Sequence, residues 1–319
     1  MADQYTSIAT TPGLGDNLVT QAYDLAVAWV LRETPQFRMF VSKRPERPTH
    51  NGTSIRLQKF DYFSAAAVTA AKTPLVEEAD VDAVKMPPTT FVDLTPKEYG
   101  FVVRRTNLLK LKSMVSVDEA IARALATHQG EVLDELVQDK LDTATNIIYA
   151  GDSTSQITVD AADKVDAADV RKAVTKLRTA KALPWTGNAY AASVHPHVVH
   201  DLREETGSGS WRVPSEYGAS QERIWKGEIG EFEGAVFYSN ARTRRTTDGA
   251  ASAAVYRTTF FGREGLAEAV AEEPHTVATP QTDNLRRFTA WGWYGVLDWA
   301  IYRQEALVQV RSGSGVASL

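Results

Sequence analysis

Residues 1–15 carry no hydrophobic periodicity and are rich in Thr, Pro and Gly, so they read as an extended arm. Apolar positions then recur at helical spacing through Leu18, Ala22, Leu25 and Trp29, which predicts a first helix. Asp16 or Asn17 can cap it with a short polar side chain. Pro35 ends it, because the residue before a proline resists helical geometry. From residue 41 the pattern changes. Residues 54–60 alternate, with Ile55 and Leu57 on one side and Arg56 and Gln58 on the other, as a strand does. An alanine-rich stretch (65–71) and an acidic one with Glu77, Glu78, Asp80 and Asp82 follow. Pro87 and Pro88 precede a second alternating run, 90–95. These roughly forty residues are too long for an ordinary loop and too polar for a core of their own. They are either a flexible insertion or, the preferred reading, a long hairpin that packs on something outside the chain. Several of Ile55, Leu57, Phe63, Leu75 and Val76 are then expected to lie exposed in one copy.

Tyr99, Phe101 and Val103 alternate again and bring a strand into the body. The longest periodic segment comes next. Ser116 and Glu119 have the spacing of a capping box. Ile121, Leu125, Val132, Leu136 and Leu141 form the stripe, widened by Leu133, Val137 and Ala144. The pattern predicts one helix from Ser116 to about Tyr149, roughly 50 Å long, weakened or bent near Gly130 and stopped by Gly151. Helices and strands alternate in the remainder. A basic amphipathic helix is expected over 167–182, a strand over 190–194, and a short helix over 197–203 with Pro196 at its first turn. Residues 204–226 read as a long loop. Residues 235–238, 255–261 and 288–310 read as strand-rich, before a short Ser/Gly tail.

Composition narrows the function. The apolar set is 43% and charged residues 24%, the balance of a folded chain. A net charge of −5 argues against a surface built wholesale for nucleic acid. The absence of cysteine excludes thiolate metal sites, disulfides and cysteine catalysis. The first residues lack the basic start and apolar run of a signal peptide, and no window approaches the ~20 apolar residues of a membrane span.

Candidate chemistry is sparse. His195, His197 and His200, followed by Asp201, could share a metal, with His197 and His200 on one helix face and His195 off it. The competing reading is a solvated helix start, and it is preferred, because no H-E-x-x-H motif supports the metal; the other histidines are His50, His128 and His275. The G-x-S-x-G elbow and the G-x-x-x-x-G-K-[ST] loop are both absent. Gly13 and Gly15 open like a dinucleotide turn, but no strand precedes them and Leu18 stands in the third glycine's place. Arg242, Arg244 and Arg245 form a basic cluster. It suits a solvated loop or a salt-bridging patch at a subunit contact better than a polynucleotide contact. The aromatic run from Phe288 to Tyr302 suits a core strand better than a ligand cage.

Five segments carry a resemblance. D-E-L-V-Q-D-K-L-D-T-A-T-N-I-I-Y-A-G (134–151) resembles the end of the long spine helix in tailed-phage major capsid proteins of the coliphage N-four-type family. K-E-Y-G-F-V-V (97–103) is similar to the strand leading into that helix. H-P-H-V-V-H-D-L-R (195–203) resembles the family's His-Pro … Asp-Leu helix. G-E-I-G-E-F-E-G-A-V-F (227–237) resembles its turn-and-strand motif, and R-Q-E-A-L-V (303–308) its last strand. The five occur in the family's order, from about residue 90 to the end, while the first ninety residues match only in layout.

The resemblance implies an α+β chain with the Hong Kong 97-type capsid fold. Its expected parts are an N-terminal arm and first helix (1–49), an extended loop or E-loop (50–95), and a peripheral domain with the spine helix (96–150). An axial domain (151–284) and strands returning to the peripheral domain with a C-terminal tail (285–319) complete it. The implied function is structural: hexamers and pentamers of the chain close into an icosahedral virion shell around double-stranded DNA, held by non-specific contact. Assembly is expected in the host cytoplasm, with a portal, in some cases a decoration protein, and no membrane. The chain begins directly with its arm, so scaffolding is expected from a separate protein. No catalytic, cofactor-binding or metal-binding residue carries over, and no cofactor is implied. Some relatives join a lysine to an asparagine between subunits; Lys59, Lys72 and Lys85 lie in or near the E-loop, and none is assigned that role. The rivals are an encapsulin-type nanocompartment of the same fold and, from another class, a histidine-metal hydrolase on His195, His197 and His200.

Overall fold

The computed structural model describes residues 35–43 and 54–318, apart from 61–62, 76, 79, 81–82, 114–115, 206–229, 280–282 and 286. The expected arm, most of the first helix and all but the first two residues of the 204–226 loop lie outside the described residues. In chain order the strands are β1 (Ser42–Lys43), β2 (Ile55–Phe60), β3 (Thr89–Leu94), β4 (Lys97–Thr106), β5 (Ile147–Tyr149), β6 (Tyr190–Val194) and β7 (Glu231–Phe232). They continue with β8 (Ala235–Ser239), β9 (Arg245–Thr246), β10 (Val255–Phe261), β11 (Leu266–Thr279), β12 (Phe288–Ile301) and β13 (Leu307–Ser312). The α-helices are α1 (Ala65–Ala70), α2 (Asn107–Lys112), α3 (Val117–Leu141), α4 (Ala167–Thr179) and α5 (Pro196–Glu204).

Two sheets and one hairpin organise these elements. The first sheet has the order β1-β11-β12-β4. Its centre is the aromatic β12, antiparallel to both β11 and β4, with Trp293 opposite Phe101. Helix α3 lies on it and buries Leu133, Val137 and Leu141 with Leu266, Leu297 and Trp299. Phe37 and Phe40 join this core, and Phe40 stacks on Phe261 at 4.5 Å. The second sheet has the order β5-β13-β10-β6-β8-β7, with β9 on β10. Val170, Val174 and Leu177 of α4 and Val198 and Leu202 of α5 cover it, against Tyr190, Val194, Phe237, Phe260 and Val310. Each such side chain, fully buried, contributes about 1.5–3 kcal/mol.

Two expectations need correction. The long helix has 25 residues, roughly 37 Å, and ends at Leu141 instead of near Tyr149. Ile147–Tyr149 leaves it because a parallel ladder with Gln309–Arg311 is on offer, which suits two β-branched residues in succession. Gly151 therefore serves a different turn, at φ 62, where the Asp163 carboxylate occupies the space a Cβ would need. The capping box is absent: Ser116 makes no side-chain cap bond, and Glu119 pairs with Arg123 at 2.5 Å. Gly130 lies inside an unbroken helix, where the ring of Pro35 comes to 2.9 Å from the place of a Cβ.

The sheets do not follow chain order: β5 and β13 belong to the second sheet and β11 to the first. β11 itself was not expected, because Glu268, Pro274 and the pair Glu272–Glu273 spoil its alternation. Glu268 is buried there against Arg38 at 2.6 Å, and Pro274 sits at a bulge opposite Gly295. The Ser/Gly tail is also better held than its composition suggests. Ser312 and Ser314 are buried, and Gly313 N–H donates to the Asp163 carbonyl at 2.9 Å.

Candidate assembly surface

β2 and β3 form a two-stranded antiparallel ladder from Ile55↔Leu94 to Phe60↔Thr89, separate from both sheets. Its near end is anchored. Leu94 is fully buried, and Thr95 N–H donates to Asp298 at 3.0 Å. Along β2, Lys59 pairs with Glu305 at 3.0 Å, and Tyr302 Oη donates to the Gln58 carbonyl at 2.9 Å. On the ladder itself Arg56 pairs with Asp93 at 2.8 Å and lies 4.0 Å over the Phe91 ring.

Beyond those anchors the hairpin is an apolar surface that lacks a cover among the described residues. Phe60 is 57% exposed, Leu75 77% and Met86 67%, and Phe63, Val68, Val84 and Phe91 are exposed as well. Of the residues expected to lie open, Phe63 and Leu75 do; Ile55 and Leu57 are half-buried, and Val76 lies outside the described residues. Ser64 caps α1 by accepting from Ala67 N–H at 3.3 Å, so this stretch is a built element and not a structureless insertion. A second apolar group, Leu108, Leu109 and Leu111, is exposed on α2 at the far end of β4. A water-facing surface of this kind is a mark of an interaction site.

The histidines do not converge on one point. The His195 ring caps α5, its Nδ1 accepting from His197 N–H at 3.2 Å. His195 and His197 rings lie 4.6 Å apart, and His197 Nδ1 lies 2.8 Å from Tyr256 Oη. Those two rings thus share one pocket, while His200 stands apart and exposed. This reverses the expected pairing of His197 with His200, because the capping geometry turns the His195 ring back over the first helical turn. His200, Asp201 and Glu204 bring ligand-type atoms within 4.8 Å of one another. Lys164 Nζ already sits there, 3.2 Å from Asp201 and 3.5 Å from Glu204.

The arginine cluster is tied up within the chain. Arg242 pairs with Glu131 at 3.1 Å and Asp134 at 3.4 Å; Arg244 pairs with Asp139 at 2.6 Å and Asp142 at 3.0 Å. Arg245 lies 5.7 Å over the Tyr256 ring. The loop before β9 is thereby clamped to α3. The expected bridging is present, but it is intramolecular. Lys72 and Lys85 are exposed on the hairpin, while Lys59 is held by Glu305.

No protein-family model and no curated protein matches the chain. Solved structures do match it. The capsid asymmetric unit of cyanophage Pam1 superposes with a TM-score of 0.75 at 14% identity, over 99% of this chain and 100% of that one. The capsid of Ralstonia phage GP4 gives 0.72 at 14% identity over 98% of both chains. The head of Helicobacter pylori bacteriophage KHP40 gives 0.68 at 12% identity, over 97% of this chain and 99% of that one. The chain thus has the Hong Kong 97-type capsid fold, of mixed α+β class.

Proposed function

We propose that this chain is the major capsid protein of a tailed bacteriophage, the repeating subunit of an icosahedral head around packaged double-stranded DNA. One observation carries the reading: the likeness to phage capsid subunits spans essentially the whole chain, while the hairpin's apolar groups have no cover among the described residues of a single copy. Neighbouring copies supply that cover. Burying a side chain such as Phe60 or Leu75 contributes about 1.5–3 kcal/mol, and a closed shell sums many such contacts without any one being strong.

The finer parts of the reading rest on sequence. The five ordered motifs favour the coliphage N-four-type family. The same reading divides the chain into an arm with the first helix (1–49), an E-loop (50–95), a peripheral domain (96–150), an axial domain (151–284) and returning strands with a tail (285–319). Assembly takes place in the host cytoplasm with a portal, and the function is mechanical. No catalytic, cofactor or metal residue is assigned.

Electron microscopy of the expressed full chain tests this. Rings of five and six and closed shells are the expected result. Particles of the same shell enclosing a protein cargo instead of DNA would transfer the assignment to an encapsulin-type compartment. A chain that stays monomeric at high concentration, with stoichiometric zinc, would overturn it.

A further inference from the structure

We propose that the outer edge of β4 pairs antiparallel with β4 of a second copy, joining their first sheets into one continuous sheet across a twofold axis. The pairing rests on the edge itself; its place, as the joint between one ring of copies and the next, rests on the shell reading above. β4 ends the first sheet, and among the described residues nothing pairs with its outer side. It runs ten residues, Lys97–Thr106, in unbroken register with β12 and without a proline. Natural sheets blunt such an edge by shortness, bulges, proline or charge. The other ends of the two packed sheets are blunted in these ways. β1 covers β11 at Ala267 and Glu268, and the rest of β11 carries two register breaks, Glu272, Glu273 and Pro274. β5 has three residues and β7 two. β4 instead offers an apolar centre, Tyr99–Val103, in which Phe101 is 47% exposed and Val102 61%.

The sequence of β4 is complementary to itself. Residues opposite one another across a ladder share a face, so a twofold partner is centred on a residue and not between two. Centring on Phe101 sets exposed Glu98 against exposed Arg104 twice, once on each side of the axis, with Gly100 against Val102 between them. On the other face Tyr99 lies against Val103, and Phe101 against its own counterpart. Opposite charges and aromatic with β-branched side chains are the pairs that favour a ladder. Lys97 falls opposite Arg105, whose charge Asp118 of the same chain already holds. Centring on Gly100 or Val102 leaves Arg104 opposite Pro96 or Gly100, so charge selects the register. The axis stands perpendicular to the sheet and keeps α3 on one side of it in both copies, the side where the Phe101 and His128 rings lie 4.5 Å apart. A wall one copy thick requires that sidedness, and a twofold contact of this kind closes on itself.

The chain has no cysteine, so introduced thiols are unique. Full-length Glu98→Cys and Arg104→Cys proteins are assembled alone and as a mixture, then oxidised. Opposed Cβ atoms in such a ladder stand about 4.5–5.5 Å apart, so disulfide dimers are expected in the mixture. Neither protein alone should give them, because a residue three positions from the axis is about 20 Å from its own counterpart. Glu98→Arg and Arg104→Glu should each leave rings intact and abolish closed shells. The double variant Glu98→Arg with Arg104→Glu restores the pair with its signs exchanged and should close shells again. Shells that form in the mixture without the disulfide overturn the pairing and leave the shell reading standing. So do single charge variants that close shells like the parent, and a double variant that rescues neither. Disulfide dimers from proteins that never form rings keep the pairing and remove the shell reading. Proteins that give neither dimers nor rings overturn both.

Discussion

The ring of His195 is enclosed by His197 at 4.6 Å and Tyr256 at 4.9 Å, and burial, with the charges of His197 and Arg245, lowers its pKa to about 4. An unfolded histidine titrates near 6.5. Between those values the unfolded chain binds the extra proton, so stability rises with pH across that window and drains as pH falls from about 6.5 to 4. Protonation also removes the Nδ1 lone pair that caps α5. Allowing for the ring's partial exposure, the effect is on the order of 1 kcal/mol. Denaturant midpoints for the parent and His195→Asn should therefore converge as pH falls through this window, since asparagine keeps a cap acceptor without the proton; parallel curves would refute it. Asp134 poses the complementary case. It is buried, which raises its pKa, and it accepts from Phe37 N–H at 2.8 Å while facing Arg242 at 3.4 Å. Asp134→Ala should cost about 2–4 kcal/mol by stranding both partners, and Asp134→Asn clearly less, both read by chemical denaturation. Neither role was legible in the sequence. Imidazole is not among the usual caps, and Asp134 sits among charged neighbours on a helix whose partners are about a hundred residues away.

Elements were legible where their own residue pattern sufficed. The stripes of α3 and α5 follow from helical spacing, and β10 from its run of β-branched and aromatic residues. The end of α3 and the whole of β11 did not, since both depend on distant chain. Ile147–Tyr149 becomes a strand only because Gln309–Arg311 lies beside it, and β11 tolerates Glu268 only because Arg38 reaches it. The same distinction predicts two leucine substitutions. Leu141 is 2% exposed in the core between α3 and the first sheet, so Leu141→Ala should destabilise the isolated chain by about 2–5 kcal/mol. Leu111 on α2 is 83% exposed, and Leu111→Ala should change the isolated chain by less than about 0.5 kcal/mol. Equal losses of stability for the two would mean that α2 packs on its own body after all.

For the whole molecule, the division that matters is between two packed cores and a hairpin whose large apolar groups are mostly exposed. The body's two cores bury their large side chains, and its arginine loop and C-terminal segment are fastened internally. The hairpin instead exposes Phe60, Phe63, Leu75, Val84 and Met86 while its root is pinned by Leu94, Lys59 and the Tyr302–Gln58 bond. Stability and assembly should then be separable. The last ladder pair is Phe60↔Thr89, so residues 61–88 can be replaced by Asn-Gly, whose two-residue turn matches the twist of an antiparallel pair. The anchored root remains, and none of the described side chains removed belongs to either core. The shortened chain should unfold within about 0.5 kcal/mol of the parent, because what is deleted contributes little to either core. It should fail to form shells, because the surface that other copies cover is gone. Sedimentation and electron microscopy read the second outcome and chemical denaturation the first. Shells assembled from the shortened chain would place the holding contacts elsewhere, and a large loss of stability would mean that the hairpin belongs to the body's own fold.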